Sequence, residues 1–264
     1  MNNVYLLKDK DGKTAWHMAA YCGKVEVFVR LWDGAKELQL NPEEIKNNVY
    51  LLKDNDGKTA WHMAAFCGKV EVFVRLWDWA KELQLKSEEI KNDVYLLKDK
   101  QVKMAWHIES LLGKVEVLEK LWDWAKELQL NPEEIKNIVY LLKDKFAKTA
   151  WYMAPLSGNV EILEKLWDWA KKLQLNTEEI NKNVYLLKGK NGKTAWHMAA
   201  ICGKVKVLER LWDWAKELQL IPEEIKNDVY LLKDKDGKTA WHMAAFCGKV
   251  EVLDRLWDWA KNYS

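Results

Sequence analysis

Residues 56–85 read DGKTAWHMAAFCGKVEVFVRLWDWAKELQL, and versions of this stretch occur six times in the chain of 264 residues. The Thr-Ala-Trp start recurs at steps of 45 residues, with Met104 in place of threonine in the third copy. A fixed period of this length is typical of repeat proteins, in which each unit packs against its neighbours. The sequence therefore predicts one array of six repeats, at 1–45, 46–90, 91–135, 136–180, 181–225 and 226–264.

A tight turn and a short helix open each repeat. The polar residues before the helix, KDNDGK at 53–58 in copy two, predict a turn in which the glycine adopts a positive φ. The threonine two residues later suits the N-cap of a helix of about two turns, and a second glycine ends that helix. Four copies keep the turn glycine, as Gly12, Gly57, Gly192 and Gly237.

Two further helices complete each repeat. The second runs from about 70 to 85 in copy two, where Trp77 lies on its apolar stripe and Trp79 on the opposite face. A helix with tryptophan on both faces is expected to be buried on both sides. A third helix begins at capping-box patterns such as Asn-Pro-Glu-Glu at 131–134.

Charge and hydropathy exclude several classes of protein. Lys and Arg total 42 against 40 for Asp and Glu, and this near balance argues against a nucleic-acid partner. No run approaches the ~20 apolar residues of a membrane-spanning helix, so we expect no membrane insertion. Four cysteines share one repeat position, at which equivalent residues lie too far apart for a disulfide. We expect buried, reduced thiols in an intracellular protein, cytoplasmic or nuclear, at Cys22, Cys67, Cys202 and Cys247.

The stretch 12–23, GKTAWHMAAYCG, resembles the core of the ankyrin repeat, Gly-x-Thr-Pro-Leu-His-x-Ala-Ala-x-x-Gly. The resemblance implies an all-α solenoid with about three helices per repeat here, and a protein-binding role through the concave face of turns and first helices. Three features depart from the family: Ala15 replaces its proline, Trp16 replaces its leucine, and the period is 45 rather than 33 residues. A HEAT or armadillo solenoid fits the period better and remains the alternative fold.

Candidate catalytic and metal-binding residues have structural explanations. A histidine precedes a cysteine by five residues in four copies, but two ligands per copy make a weak zinc site. In the family-like unit this histidine is expected to bond to the threonine hydroxyl and nearby backbone. Acidic pairs such as Glu133-Glu134 stand at a helix start, where they complement the dipole. The sequence thus predicts no enzyme, no metal and no cofactor.

Copies three and four diverge most, at the turn tip and the first helix. One interpretation is a binding patch for an unknown protein partner; the other is drift in two decaying copies. Pro155 favours drift, since proline is expected to disrupt the first helix of copy four. The candidate patch comprises Gln101, Val102, Glu109, Leu111, Phe146, Tyr152 and Leu156.

A second functional hypothesis is structural. The sequence begins midway through a third helix and stops before the last one, with no polar capping repeat. We therefore expect head-to-tail homo-oligomers, or a fragment of a longer repeat protein. The residues expected to self-associate are Val4, Tyr5, Leu7, Trp257 and Trp259.

Overall fold

The computed structural model describes residues 6–37, 41–218 and 231–261, in which helices alternate with turns and loops and no β-strand occurs. The all-α prediction is therefore confirmed for these residues, whereas the arrangement of six repeats in one array stays a prediction. The chain forms two compact units. Unit 1 comprises residues 1–109 and 114–130, and unit 2 comprises residues 110–113 and 131–264.

Each repeat contributes a short first helix and a longer second helix, as the sequence predicts. The first helices are α1 (Ala15–Cys22), α4 (Ala60–Cys67), α7 (Ala105–Leu112), α10 (Ala150–Ser157), α13 (Ala195–Cys202) and α15 (Ala240–Phe246). The second helices are α2 (Val25–Glu37), α5 (Val70–Glu82), α8 (Val115–Glu127), α11 (Val160–Lys172), α14 (Val205–Glu217) and α16 (Val250–Lys261).

The third segment is not the continuous α-helix that the sequence predicts. It starts as a short α-helix and continues as a π-helix, whose i→i+5 bonds widen the turn. The wider turn places Val94 and Tyr95 together in the core, and the Tyr95 hydroxyl donates to the Leu121 carbonyl oxygen at 2.8 Å. The four described cases are α3 (Pro42–Ile45) with Lys46–Tyr50, α6 (Ser87–Glu89) with Ile90–Tyr95, α9 (Pro132–Lys136) with Asn137–Leu141, and α12 (Thr177–Ile180) with Asn181–Tyr185.

Tryptophan pairs form the core between second helices. In unit 1, Trp79 stacks on Trp32 at 4.6 Å between ring centroids, while Trp77 stacks on Trp124 at 4.5 Å. The two tryptophans of α5 therefore face opposite neighbours, which confirms the prediction. Unit 2 repeats the arrangement, with α11 against α14 and α14 against α16. Its stacked pairs are Trp167 with Trp214 and Trp212 with Trp259.

The turn glycines adopt the positive φ that the sequence predicts, and two copies hold other residues in the same conformation. Gly57 has φ 76°, whereas Val102 and Ala147 have φ 60° and 59°. A residue with a Cβ pays roughly 1–2 kcal/mol in the left-handed region, and a β-branched one is a strong outlier there. Copies three and four therefore carry backbone strain at the turn.

We expect Val102→Gly to raise the free energy of unfolding by about 1 kcal/mol, because glycine removes the Cβ clash at positive φ. The matched change in copy two, Gly57→Ala, should lower it by a similar amount. Urea denaturation of both variants measures the two effects. An unchanged or lower stability of Val102→Gly would show that the valine side chain contributes more than the strain costs.

Pro155 does not break the first helix of copy four, so that expectation is wrong. α10 runs unbroken from Ala150 to Ser157, and Pro155 is buried in its last turn. The helix end is closed by side chains. The Ser157 hydroxyl donates to the Ala154 carbonyl oxygen at 2.8 Å, and the Asn159 N–H donates to the Ser157 oxygen at 3.1 Å.

Candidate binding surface

The histidine of the first helix has the structural role that the sequence predicts. His17 Nδ1 accepts from the Thr14 N–H at 3.2 Å and lies 3.0 Å from the Thr14 hydroxyl oxygen. Because a backbone N–H only donates, Nε2 carries the ring proton and donates to the Lys58 carbonyl oxygen at 3.2 Å. Burial lowers the pKa of His17 and lowers the pKa of His62 to about 4. The lowered pKa favours the neutral form of both imidazoles, and His17 links its repeat to the next one through the bond to Lys58.

The cysteines and histidines do not form a metal site in the part of the chain that the structure describes, where no three His, Cys, Asp or Glu side chains converge. The four cysteines are free thiols. The expectation that all are buried is wrong: Cys22 is exposed, and the other three are half-buried. They lie at or next to the C-terminal end of the first helix, where the side chains are partly open to solvent.

A pocket opens on the surface of the first helices in unit 1. Its volume is about 280 Å³. The apolar part of its wall consists of Met18, Tyr21, Met63, Phe66 and Ile108. Its polar part consists of Lys13, Lys58 and His62. We call this the Tyr21–Phe66 pocket.

Large apolar side chains on the pocket wall are open to solvent. Tyr21 is 47% exposed and Phe66 is 51% exposed, although their rings stack with centroids 5.8 Å apart. Met18 beside them is 45% exposed. Scattered apolar residues are normal on a protein surface, but a contiguous aromatic pair beside a concavity is typical of an interaction site.

The candidate patch from copies three and four is only partly accessible. Gln101 is exposed, Val102 is half-buried, and both belong to unit 1. In unit 2, Phe146 is 43% exposed under Lys145 and Lys148, whose Nζ atoms lie 5.2 and 5.5 Å from its ring centroid. Leu111 and Leu156 are half-buried. Each of these five side chains is exposed or half-buried within its own unit.

Glu109 is not available to a partner, contrary to the prediction. Its side chain is fully buried, and neither carboxylate oxygen has a hydrogen-bond partner among the described residues. Burial holds its pKa well above the usual range, so the fold favours the neutral acid. All five other copies have alanine here, at Ala19, Ala64, Ala154, Ala199 and Ala244.

Tyr152 is also a packing residue and not a contact for a partner. It is 6% exposed, its hydroxyl donates to the Met198 sulfur at 3.1 Å, and burial raises its pKa to about 12. A Cβ added at Gly189 would lie 2.9 Å from Tyr152 Cε2. All five other copies have aspartate at the position of Gly189. Tyrosine in copy four and glycine in copy five are therefore complementary.

The residues expected to self-associate also differ in how exposed they are. Val4 and Tyr5 lie outside the described residues. Leu7 is 68% exposed and Trp257 is 58% exposed, so both side chains are accessible, and their self-association stays a prediction. Trp259 is 9% exposed because its ring stacks on Trp212 at 4.7 Å, so its predicted availability is wrong.

No protein-family model matches this chain, and no curated protein matches it. Among the described residues, no helix is long and apolar enough to cross a membrane.

The Tyr21–Phe66 pocket was not predicted from the sequence, although a signal was present. The position two residues before the glycine that follows the first helix holds a large apolar residue in every copy, and that residue is exposed or half-buried each time. In six copies it is Tyr21, Phe66, Leu111, Leu156, Ile201 and Phe246.

Proposed function

We propose that this chain is a non-enzymatic protein-interaction scaffold, and that its partner protein binds the Tyr21–Phe66 pocket. The observation that carries the proposal is the half-exposed, stacked aromatic pair of Tyr21 and Phe66 beside that pocket. Aromatic and methionine side chains are enriched at interfaces because each removes a large apolar area from water when a partner covers it.

The proposal includes an ankyrin-like array of six repeats. It is supported within each unit by first helices that pack on first helices and second helices that pack on second helices. It is also supported by glycines in the left-handed conformation at the ends of first helices, such as Gly23 at φ 64° and Gly68 at φ 66°. Four free thiols favour an intracellular location, cytoplasmic or nuclear.

Phe66→Glu should abolish capture of the partner from an extract of the source cells, because a carboxylate replaces the apolar anchor. Val27→Glu is the matched control, since Val27 on α2 is 52% exposed and lies outside the pocket. Quantitative mass spectrometry would compare both variants with the unaltered protein. A protein set that both variants retain equally would contradict this site, and circular dichroism would show that both remain folded.

A second candidate is self-association through the last repeat, favoured by Trp257 at 58% and Phe246 at 89% exposure. One observation counts against the head-to-tail form. Within each unit such a tryptophan stacks on a tryptophan of the following repeat, as Trp212 does on Trp259. The first repeat has Gly34 at that second position. Light scattering over a concentration series would decide: oligomers that Trp257→Lys abolishes would support self-association, and a monomer would exclude it.

A further inference from the structure

We propose that the Tyr21–Phe66 pocket binds an acidic segment of the partner, which inserts one large apolar side chain and pairs its flanking carboxylates with Lys13 and Lys58. This inference rests on the proposed function and specifies the chemistry of its partner.

The size of the pocket indicates one side chain. Sites for drug-sized ligands occupy ~300–1,000 Å³, and this pocket has about 280 Å³. Met18 and Met63 form part of the wall. Methionine is flexible and polarizable, so these side chains can adjust around an inserted aromatic or branched group.

The charge of the pocket wall indicates acidic flanks. Its charged residues are Lys13 and Lys58, and no acidic residue lines it. Each lysine pairs with an exposed aspartate of its own turn: Lys13 with Asp11 and Lys58 with Asp56, both at 3.1 Å. The aspartate side chains are 71% and 72% exposed, and exposed pairs of this kind contribute little, so either lysine can exchange its partner at small cost.

Further lysines stand at the opposite ends of these first helices. The Lys69 side chain packs across Gly23 and the Lys114 side chain across Gly68, where the glycines leave room because they have no Cβ. No ion pair is found for Lys69 or Lys114 in the described part of the chain. A first helix of eight residues spans ~12 Å, so these helices carry lysines near both ends, and the lysines near the N-terminal ends line the pocket.

The equivalent site in unit 2 lacks this chemistry. Lys193, at the position of Lys13 and Lys58, pairs with Asp234 at 3.4 Å, and the aspartate side chain is fully buried. Ile201 replaces the aromatic residue of α1 and α4. The pocket in unit 1 therefore combines an open aromatic pair with exchangeable lysines.

The test records the methionine methyl signals of the full chain by NMR while synthetic peptides are added as ligands. The probe is a peptide of about twelve residues with a central tryptophan flanked by glutamates; its controls replace tryptophan by alanine or every glutamate by glutamine. We expect the probe to shift the Met18 and Met63 methyl signals and to leave Met198 and Met243 unchanged. Both control peptides should bind at least about tenfold more weakly.

Lys13→Gln combined with Lys58→Gln should weaken binding of the probe about tenfold, and added salt should reduce the difference. The matched control is Lys148→Gln combined with Lys238→Gln, at the same positions of copies four and six. If the probe leaves Met18 and Met63 unshifted, or if the glutamine peptide binds equally well, the inference is overturned. The proposed function fails by a separate result, namely partner capture that survives Phe66→Glu.

Discussion

Glu109→Met should raise the melting temperature of the protein. The wild-type carboxyl group is fully buried, and no hydrogen-bond partner for it exists among the described residues. An unsatisfied buried polar group costs ~1–3 kcal/mol, and an apolar side chain of similar shape at the same place avoids this loss of stability. Each kcal/mol corresponds to about 2–4 °C in a protein of this size.

The pH dependence of this effect has a definite sign. Because burial raises the pKa of Glu109, the folded state holds the proton more tightly than the unfolded chain. This contribution to stability is greatest below the ordinary glutamate pKa of ~4.3 and is lost as the pH rises toward the folded value. The advantage of Glu109→Met over the wild type should therefore grow from pH 4 to pH 8.

Calorimetry across that pH range measures the effect, with Glu109→Gln as the control. Glutamine keeps the polar group and removes only the ionisation, so it should abolish the pH dependence but recover less stability than methionine. A higher melting temperature for Glu109→Gln than for Glu109→Met would contradict this account. So would a wild type that melts at a higher temperature than Glu109→Met at pH 8, because the carboxyl group would then have a stabilising partner.

Gly189→Asp should destabilise the wild type but not a protein that also carries Tyr152→His. A Cβ at residue 189 would lie 2.9 Å from Cε2 and 3.1 Å from Cζ of the buried Tyr152 ring. The ring cannot easily move away, because its hydroxyl donates to the Met198 sulfur. Overpacking of this kind costs ~1–3 kcal/mol.

In the double variant, histidine and aspartate restore the pair that the other copies use. Asp54, for example, accepts from the Asp56 and Lys58 N–H groups at 2.9 and 2.8 Å and thereby holds its turn. A double-mutant cycle from urea denaturation should give a favourable coupling of about 1–3 kcal/mol. Gly189→Ala isolates the steric part. Additive changes in the free energy of unfolding would show that residues 152 and 189 are not energetically coupled.

The repeat period and local sequence patterns predicted most of the helical structure. Helical spacing placed Trp77 and Trp79 on opposite faces, and the stacking partners of both rings confirm it. The bond between His17 and Thr14 was predictable because the residues are three apart on one helix. Both features depend only on residues that are close in sequence, at a spacing that the α-helix fixes.

Features that depend on distant packing were not predictable in the same way. The Tyr152 phenol contacts the site of Gly189 from the preceding repeat, and no local pattern links these two positions. Glu109 looked available because charged residues are usually exposed, yet it replaces a buried alanine. The Tyr21–Phe66 pocket was missed because a helix of eight residues has too few positions to separate a packed stripe from an exposed one.

The most direct measurement of the central claim is site-specific photo-crosslinking in an extract of the source cells. Benzoylphenylalanine at position 66 should crosslink one discrete protein, and an excess of unlabelled wild type should compete while Phe66→Glu should not. The same amino acid at position 27, on an exposed part of α2, should give no such product. Equal crosslinking from both positions, or a product at 66 that Phe66→Glu competes away, would contradict a partner site at the Tyr21–Phe66 pocket.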